Sequence, residues 1–382
     1  MNPINHTNAG ALLSIDLDAI GRNWRALQGR LPGAVCSAVV KADAYGLGAR
    51  RVGPALYRVG CRHFFVAHLG EAIDLRPSLP ADTTIYVLHG LPPGAEPEAA
   101  AEGVVPVLNS LPQVAAWRDL AQRLDRRLPA VLQVDSGMAR LGLGDDELDR
   151  LAGDRTRLDG IDLRLVMSHL VSAEDQANPV NRQQLERFQA ARRRLPPAPA
   201  SLANSSGIFL GSDFHFDLAR PGAALYGVAP VAGVDNPLQP VIRLQGKVIQ
   251  TRSIAAGTGV GYGHTWRAQR PARIATVAVG YADGFLRSSS NRGVAYVDGI
   301  ALAIVGKVSM DTITIDISAL PAERIVAGSL IDLADPQNTV DQLAACAGTI
   351  GYEILTSLGS RYARSYLGEF DALDELGAAA RC

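Results

Sequence analysis

The 382-residue chain reads as an α/β fold, a (β/α)8 TIM-type barrel followed by a mostly β C-terminal domain. Three observations predict this. Between about residues 34 and 220, short apolar runs alternate with amphipathic segments, the rhythm of fully buried parallel strands joined by helical crossovers. After about Pro240 helical periodicity nearly disappears, and β-rich runs separated by Gly and turn residues take over. Reactive side chains fall just past the ends of the apolar runs, where a parallel barrel gathers its functional groups. A doubly wound open sheet is the alternative that the same alternation admits.

Eight strands are expected near residues 35–40, 63–67, 84–88, 104–108, 130–134, 163–167, 200–203 and 216–218, the last two weak on propensity alone. Helical faces lie between them. Ile20, Trp24, Leu27 and Leu31 follow Asp18, read as the cap; Leu111, Val114, Ala115 and Leu120 mark another face; the polar run 178–195 reads as an exposed helix. The later strands are placed at 241–250, 274–279, 294–297, 302–305 and 312–317, with a helix at 340–345. The barrel is therefore assigned to residues 12–240 and the β domain to 241–382, which residues 1–11 could join. The segment 11–15 could be a strand of either.

Composition narrows the class. Net charge is -1, with 47% hydrophobic and 20% charged residues, so no nucleic-acid or membrane-surface partner is expected. No apolar run approaches the roughly 18 residues that span a bilayer, and the first ten residues lack a basic-then-apolar leader pattern. Cys36, Cys61, Cys346 and Cys382 lie far apart without a C-x-x-C pair, which fits free thiols in a cytoplasmic protein. The seven histidines show no ligand spacing, and no metal site is expected. Only three of the 37 basic residues are lysines: Lys41, Lys247 and Lys307. Base composition is the bland cause, yet arginine cannot form an imine, so a lysine retained in such a background marks a candidate nucleophile.

At the strand ends stand Lys41, the run Asp135-Ser136-Gly137-Met138-Ala139-Arg140, Ser168-His169, Asn204-Ser205-Ser206-Gly207 and Arg220-Pro221-Gly222. Taken singly, each has a structural reading: a solvated lysine, a hydrogen-bonded histidine, a turn. Converging on one rim, they suit an aldehyde cofactor with a phosphate. A partly desolvated lysine forms the imine, Ser205 with the N–H groups near Gly222 holds the phosphate, and an arginine meets a ring nitrogen or a phenolate.

The segment Ala38-Val39-Val40-Lys41-Ala42-Asp43-Ala44-Tyr45-Gly46-Leu47-Gly48 resembles the cofactor-lysine signature of the alanine racemases. Eight further motifs match that family in order and spacing. They are Asp135–Gly142, Ser168-His169-Leu170, Ala203-Asn204-Ser205, Arg220-Pro221-Gly222, Gly261-Tyr262-Gly263, Gly280–Gly284, Gly306–Asp311 and Gly351-Tyr352-Glu353, so the resemblance covers both domains.

It implies a pyridoxal 5'-phosphate (PLP) enzyme, assembled as a homodimer with shared active sites, that interconverts L- and D-alanine and supplies D-alanine for peptidoglycan. Lys41 would hold PLP and act as the base on one face of the substrate; Tyr262 of the second subunit would act on the other. Two opposed groups suit racemisation, since one side chain would have to cross the ring plane. Tyr45, Ser205, Gly222 and Tyr352 would bind the phosphate, with Ala223, Asn204 and His169 also at the cofactor. Arg140 would contact the phenolic oxygen and the substrate, Met310 would offer its N–H to the substrate carboxylate, and Tyr281 and Asp311 would line the access channel. Arg220 would face the pyridine nitrogen, where related decarboxylases place Glu; an arginine cannot accept a proton there, which favours a racemase.

There are departures. Gln133 stands where some relatives carry a carbamylated lysine, so either the amide positions Arg140 directly or an anion fills the gap. Ser201 replaces a histidine, and Ser309 a cysteine, found in some relatives. The rivals are a broader-specificity racemase, a barrel-type PLP decarboxylase and a PLP-homeostasis protein, the last lacking a second domain.

Overall fold

The structure, a computed structural model, describes residues 5–368; residues 1–4 and the end of the expected β domain, 369–382 with Cys382, lie outside them. The chain divides into two compact units, one of residues 20–238 and one formed by the described residues before and after it.

In the first unit, seven short strands form one parallel sheet: Ala38–Val39, His63–Val66, Thr84–Val87, Val105–Leu108, Leu128–Gln133, Ile161–Met167 and Ala200–Ser201. The eighth, Leu218–Ala219, pairs parallel with Val35–Cys36, which lies on the first strand beyond a break at Ser37. Main-chain bonds close the ring on both sides: Val39 N donates to Pro221 O (2.9 Å), and Arg220 N donates to Ala203 O (2.8 Å). All eight runs expected from the sequence are strands of this barrel. Their density explains why. Phe64, Phe65 and Val66 are all fully buried, as are Val131 and Leu132, so neither face meets water. Each such side chain contributes roughly 1.5–3 kcal/mol through burial.

The crossovers are helical for local reasons. Leu111–Arg123 starts at Ser110, whose Oγ accepts from Gln113 N, and buries Val114, Trp117, Leu120 and Ala121 on one stripe. Val180–Arg194 is polar outside but buries Asn181, Gln184, Leu185 and Phe188, so it is only half exposed. The first helix, Leu17–Gln28, is capped by Asp16 rather than by the expected Asp18: Asp16 Oδ1 accepts from Ala19 N at 2.7 Å, and Asp18 lies within the first turn.

The second unit is built on an eight-stranded sheet. Ala11–Asp16 pairs antiparallel with Ile242–Ile254 and parallel with Ala363–Leu367. This strand therefore belongs to the C-terminal sheet, whereas the sequence boundary at residue 12 put it in the barrel; its partners lie more than two hundred residues away and leave no local signal. Ile242–Ile254 is long enough to serve two ladders, with Leu330–Ala334 along its first half and Ala272–Val277 along its second, the second ladder carrying a register shift at Val248–Gln250. Val294–Val297, Ile300–Ala303 and Ile313–Asp316 complete it. Among the described residues no helix is long and apolar enough to cross a membrane, and no group of three or more His, Cys, Asp or Glu could hold a metal ion.

Candidate active site

Lys41 ends the first barrel strand. The four residues after it, Ala42 to Tyr45, all adopt left-handed backbone angles, with φ between 52° and 56°. Left-handed helix costs about 1–2 kcal/mol per L-residue, so a run of four needs firm support. Glu71, from the helix after the second strand, supplies some: Oε1 accepts from Ala42 N (2.6 Å) and Oε2 from Ala67 N (2.7 Å). Asp43 Oδ1 takes Ala49 N (2.7 Å), and Tyr45 is buried against Tyr226, ring centroids 4.8 Å apart. The turn thereby returns the Tyr45 hydroxyl to the end of the eighth strand.

There it meets Gly222. A Cβ on Gly222 would stand 2.3 Å from Tyr45 Oη and 3.3 Å from Val39 Cβ, so only glycine fits. Ser205 Oγ accepts from Gly222 N (3.0 Å) and Ala224 N (3.2 Å), and Ala223 opens the short 3-10 turn Ala223–Tyr226. A hydroxyl pair and a bend of main-chain N–H groups thus form a small cup suited to an oxyanion. Asn204 supports the cup instead of lining it with its amide: Oδ1 accepts from Gly207 N (2.9 Å) and Nδ2 donates to Leu170 O (3.5 Å). Gly222→Ala is expected to weaken phosphate-cofactor affinity about tenfold or more, read by absorbance titration of the apoprotein; unchanged affinity would remove the cup from the site.

Beside the cup lies a cationic rim. Arg220 is buried and bonded only to neutral acceptors, Nη1 to Ser201 Oγ and Nη2 to Ser168 O (2.5 Å). Among the described residues no carboxylate pairs with it. Burial pulls its pKa down to about 9, leaving it protonated at neutral pH. Ser168 Oγ and Ser136 Oγ lie 2.7 Å apart, and Gln184 ties Ser136 to His169 O, so one polar chain fixes the fifth and sixth strand ends. Burial, then Arg220, Arg140 and Lys41, lower His169 to about 3, so its imidazole is neutral. Burial first and Arg140 second lower Lys41, against Glu71, which raises it. More of its amine is therefore neutral, as a base requires. The Arg140 loop is wrapped around Asp135, whose carboxylate takes Gly137, Met138 and Ala139 N. Gln133 does not address the guanidinium: its Nε2 donates to Leu141 O (3.1 Å), steadying the backbone one residue beyond Arg140.

Two rim residues escaped the sequence reading. His68 and His89 end the second and third strands and meet edge to face, centroids 4.6 Å apart. Burial and then the neighbouring His68, Lys41 and Arg140 hold His89 toward its neutral form. The same strand-end rule that found Lys41 would have found both.

The remaining candidates lie in the second unit. Tyr262 is 71% exposed, Met310 54%, Tyr281 42% and Tyr352 39%, high values for large side chains. Their loops are laced together. Tyr281 N donates to Ser309 O and Ala282 N to Met310 O (both 3.0 Å), while Asn291 takes Gly306 N and donates to Thr265 beside Tyr262. A Cβ on Gly280 would come within 2.2 Å of Met310 O, so these two turns interlock only with glycine there. The Met310 N–H donates to no described residue. Asp311 is engaged by Arg361 (2.7 Å).

The chain matches known proteins over most of its length. The alanine racemase N-terminal domain profile matches residues 15–230 and the C-terminal domain profile residues 241–366. A protein of Mesorhizobium japonicum named as a catabolic alanine racemase is 54% identical over 366 residues, 96% of each chain. The alanine racemase of Brucella abortus is 50% identical over 372 residues, 94% of each. The crystal structure of the Bartonella henselae alanine racemase with covalently bound pyridoxal phosphate superposes with a TM-score of 0.91 at 43% identity, over 94% of this chain and all of that one. The biosynthetic alanine racemase of Pseudomonas aeruginosa gives 0.87 at 36% identity over the same shares.

Proposed function

The chain belongs to the alanine racemase family, PLP-dependent enzymes acting on alanine, and from that membership we propose how it works and what it serves. The residues fit the cofactor. With no side chain at Gly222, the Tyr45 hydroxyl and the Ser205 oxygen share a corner that suits a phosphate, and Arg220 is a buried guanidinium whose present partners are all neutral. Arg220 carries the reading: it can donate to a ring nitrogen but cannot protonate it, which suits a racemase and disfavours the decarboxylases. Tyr45, Ser205, Gly222, Ala223 and Tyr352 would hold the phosphate, with Asn204 and His169 shaping the pocket and Arg140 meeting the phenolic oxygen. Bound PLP supplies the electron sink that lets the Cα proton leave.

The chain's own groups move that proton. Lys41 Nζ takes or returns it on one face of the substrate and Tyr262 Oη on the other. The Met310 N–H, without an acceptor among the described residues, holds the substrate carboxylate, and Tyr281 and Asp311 line the approach. Tyr262 and Met310 act in a second copy's site, making the working unit a homodimer. The exposed Tyr262, Tyr281 and Met310 support this, because such side chains are usually covered. Cys36 and Cys61 are buried free thiols, burial pushing Cys61 up to about 12, which suits a cytoplasmic enzyme.

The physiological role proposed is supply of D-alanine for peptidoglycan. The name of the Mesorhizobium relative favours a second, catabolic reading. Deleting the gene separates them: D-alanine auxotrophy supports biosynthesis, whereas loss of growth on alanine as sole carbon source, without auxotrophy, supports catabolism. A panel of other amino acids in the racemisation assay sets substrate breadth.

A further inference from the structure

Arg361 lies outside every motif that carries the family resemblance, yet it makes a tight ion-pair constellation in the second unit. Its Nε and Nη2 grip both oxygens of Asp283 at 2.6 and 2.8 Å, and its Nη1 donates to Asp311 Oδ1 at 2.7 Å. Asp283 is 4% exposed. A buried carboxylate needs its lone pairs satisfied, and this one is: Oδ2 also accepts from Gly280 N (2.9 Å). Its carbonyl takes Tyr362 Oη (2.6 Å) and Gly359 N (3.0 Å). One guanidinium therefore bridges two turns. One is Gly280 to Asp283; the other is Ser309 to Asp311, with Met310 at its tip.

We infer that Arg361 is a positioning residue for the substrate carboxylate. It clamps the Gly280–Asp283 turn to the Ser309–Asp311 turn, so that the Met310 N–H is held ready for a carboxylate oxygen. This rests on the proposed role of Met310. The planar fork matters, because only a guanidinium can engage Asp283 through two donors while a third reaches Asp311. Loose placement of a single donor is costly, since a shift of about 1 Å in a positioning contact can cost up to 100-fold.

The test uses the full-length enzyme loaded with PLP and propionate, which has the carboxylate of alanine but no amine to react. Arg361→Met is expected to raise the KM for alanine and the Ki for propionate together by about tenfold, with kcat within about twofold of the parent. Arg361→Lys keeps the charge but cannot bridge both carboxylates, so its Ki should stay raised by at least about threefold. Full restoration by lysine would make the effect one of charge alone and overturn the inference. Met310→Pro, which lacks the N–H, separates the two claims. If it raises the propionate Ki and Arg361→Met does not, the Met310 role stands and the Arg361 role falls. If neither changes the Ki, both fall. Should Arg361→Met not fold, Asp311→Asn loosens only the Met310 side, and a raised Ki there supports the clamp, whereas an unchanged Ki refutes it.

Discussion

Lys41→Ala protein is expected to show no racemisation above background and to lose the visible absorption of cofactor joined to the chain. Of the three lysines, only Lys41 stands on the barrel rim; Lys247 donates to His6 O and Thr7 O at the surface of the other unit. Removing the amine deletes the covalent anchor and one of two proton-transfer groups at once. Proton-transfer catalysis alone is worth about 100- to 10,000-fold, and loss of the anchor adds to it. Lys41→Arg is the sharper control, because arginine keeps the charge but can neither anchor the aldehyde nor act as a base at neutral pH. If either variant retained the visible band, the anchor would lie elsewhere. The lowered pKa of Lys41 has a second consequence. As pH falls, the amine stays neutral further down than an ordinary lysine would, since burial and Arg140 oppose its protonation. Arg140→Gln should therefore move the acidic limb of the kcat profile upward, against the direction expected if Arg140 served only to bind.

The barrel was legible because each strand carries two signals, an apolar run and a reactive or turn-forming residue at its C-terminal end. Lys41, His169, Ser205 and Arg220 could all be found by asking which reactive residue comes next after a strand. The conformation that makes Lys41 useful could not. Ala42, Ala44 and Tyr45 have no preference for left-handed angles; the turn exists because Glu71 and Tyr226 hold it from elsewhere in the barrel and Asp43 ties it to Ala49. Ser201 shows the same limit. The sequence showed it only as a replaced histidine, whereas in the structure it is a direct partner of Arg220. Arg361 was invisible for a simpler reason, since its two carboxylates lie 78 and 50 residues away along the chain. The strand Ala11–Asp16 was ambiguous because strand propensity does not say which sheet a strand joins.

Tyr262→Phe should keep PLP bound and lose at least about 1,000-fold in kcat, because phenylalanine preserves the ring and removes only the proton-carrying oxygen. The informative experiment combines it with the lysine variant. Suppose Lys41 of one chain works with Tyr262 of the other. In a heterodimer of Lys41→Ala and Tyr262→Phe chains, one site then carries both lesions and the other carries neither. Random exchange of equal amounts makes half the dimers heterodimers, so about a quarter of the sites should be wild type. Two nearly inactive preparations would regain about a quarter of parental activity on co-refolding or co-expression. If Lys41 instead works with the Tyr262 of its own chain, every site in the mixture keeps one lesion, and no activity returns. The two arrangements thus predict about a quarter against nothing. The regained fraction also tracks the mixing ratio, peaking at equal amounts, which a contaminating wild-type enzyme would not reproduce.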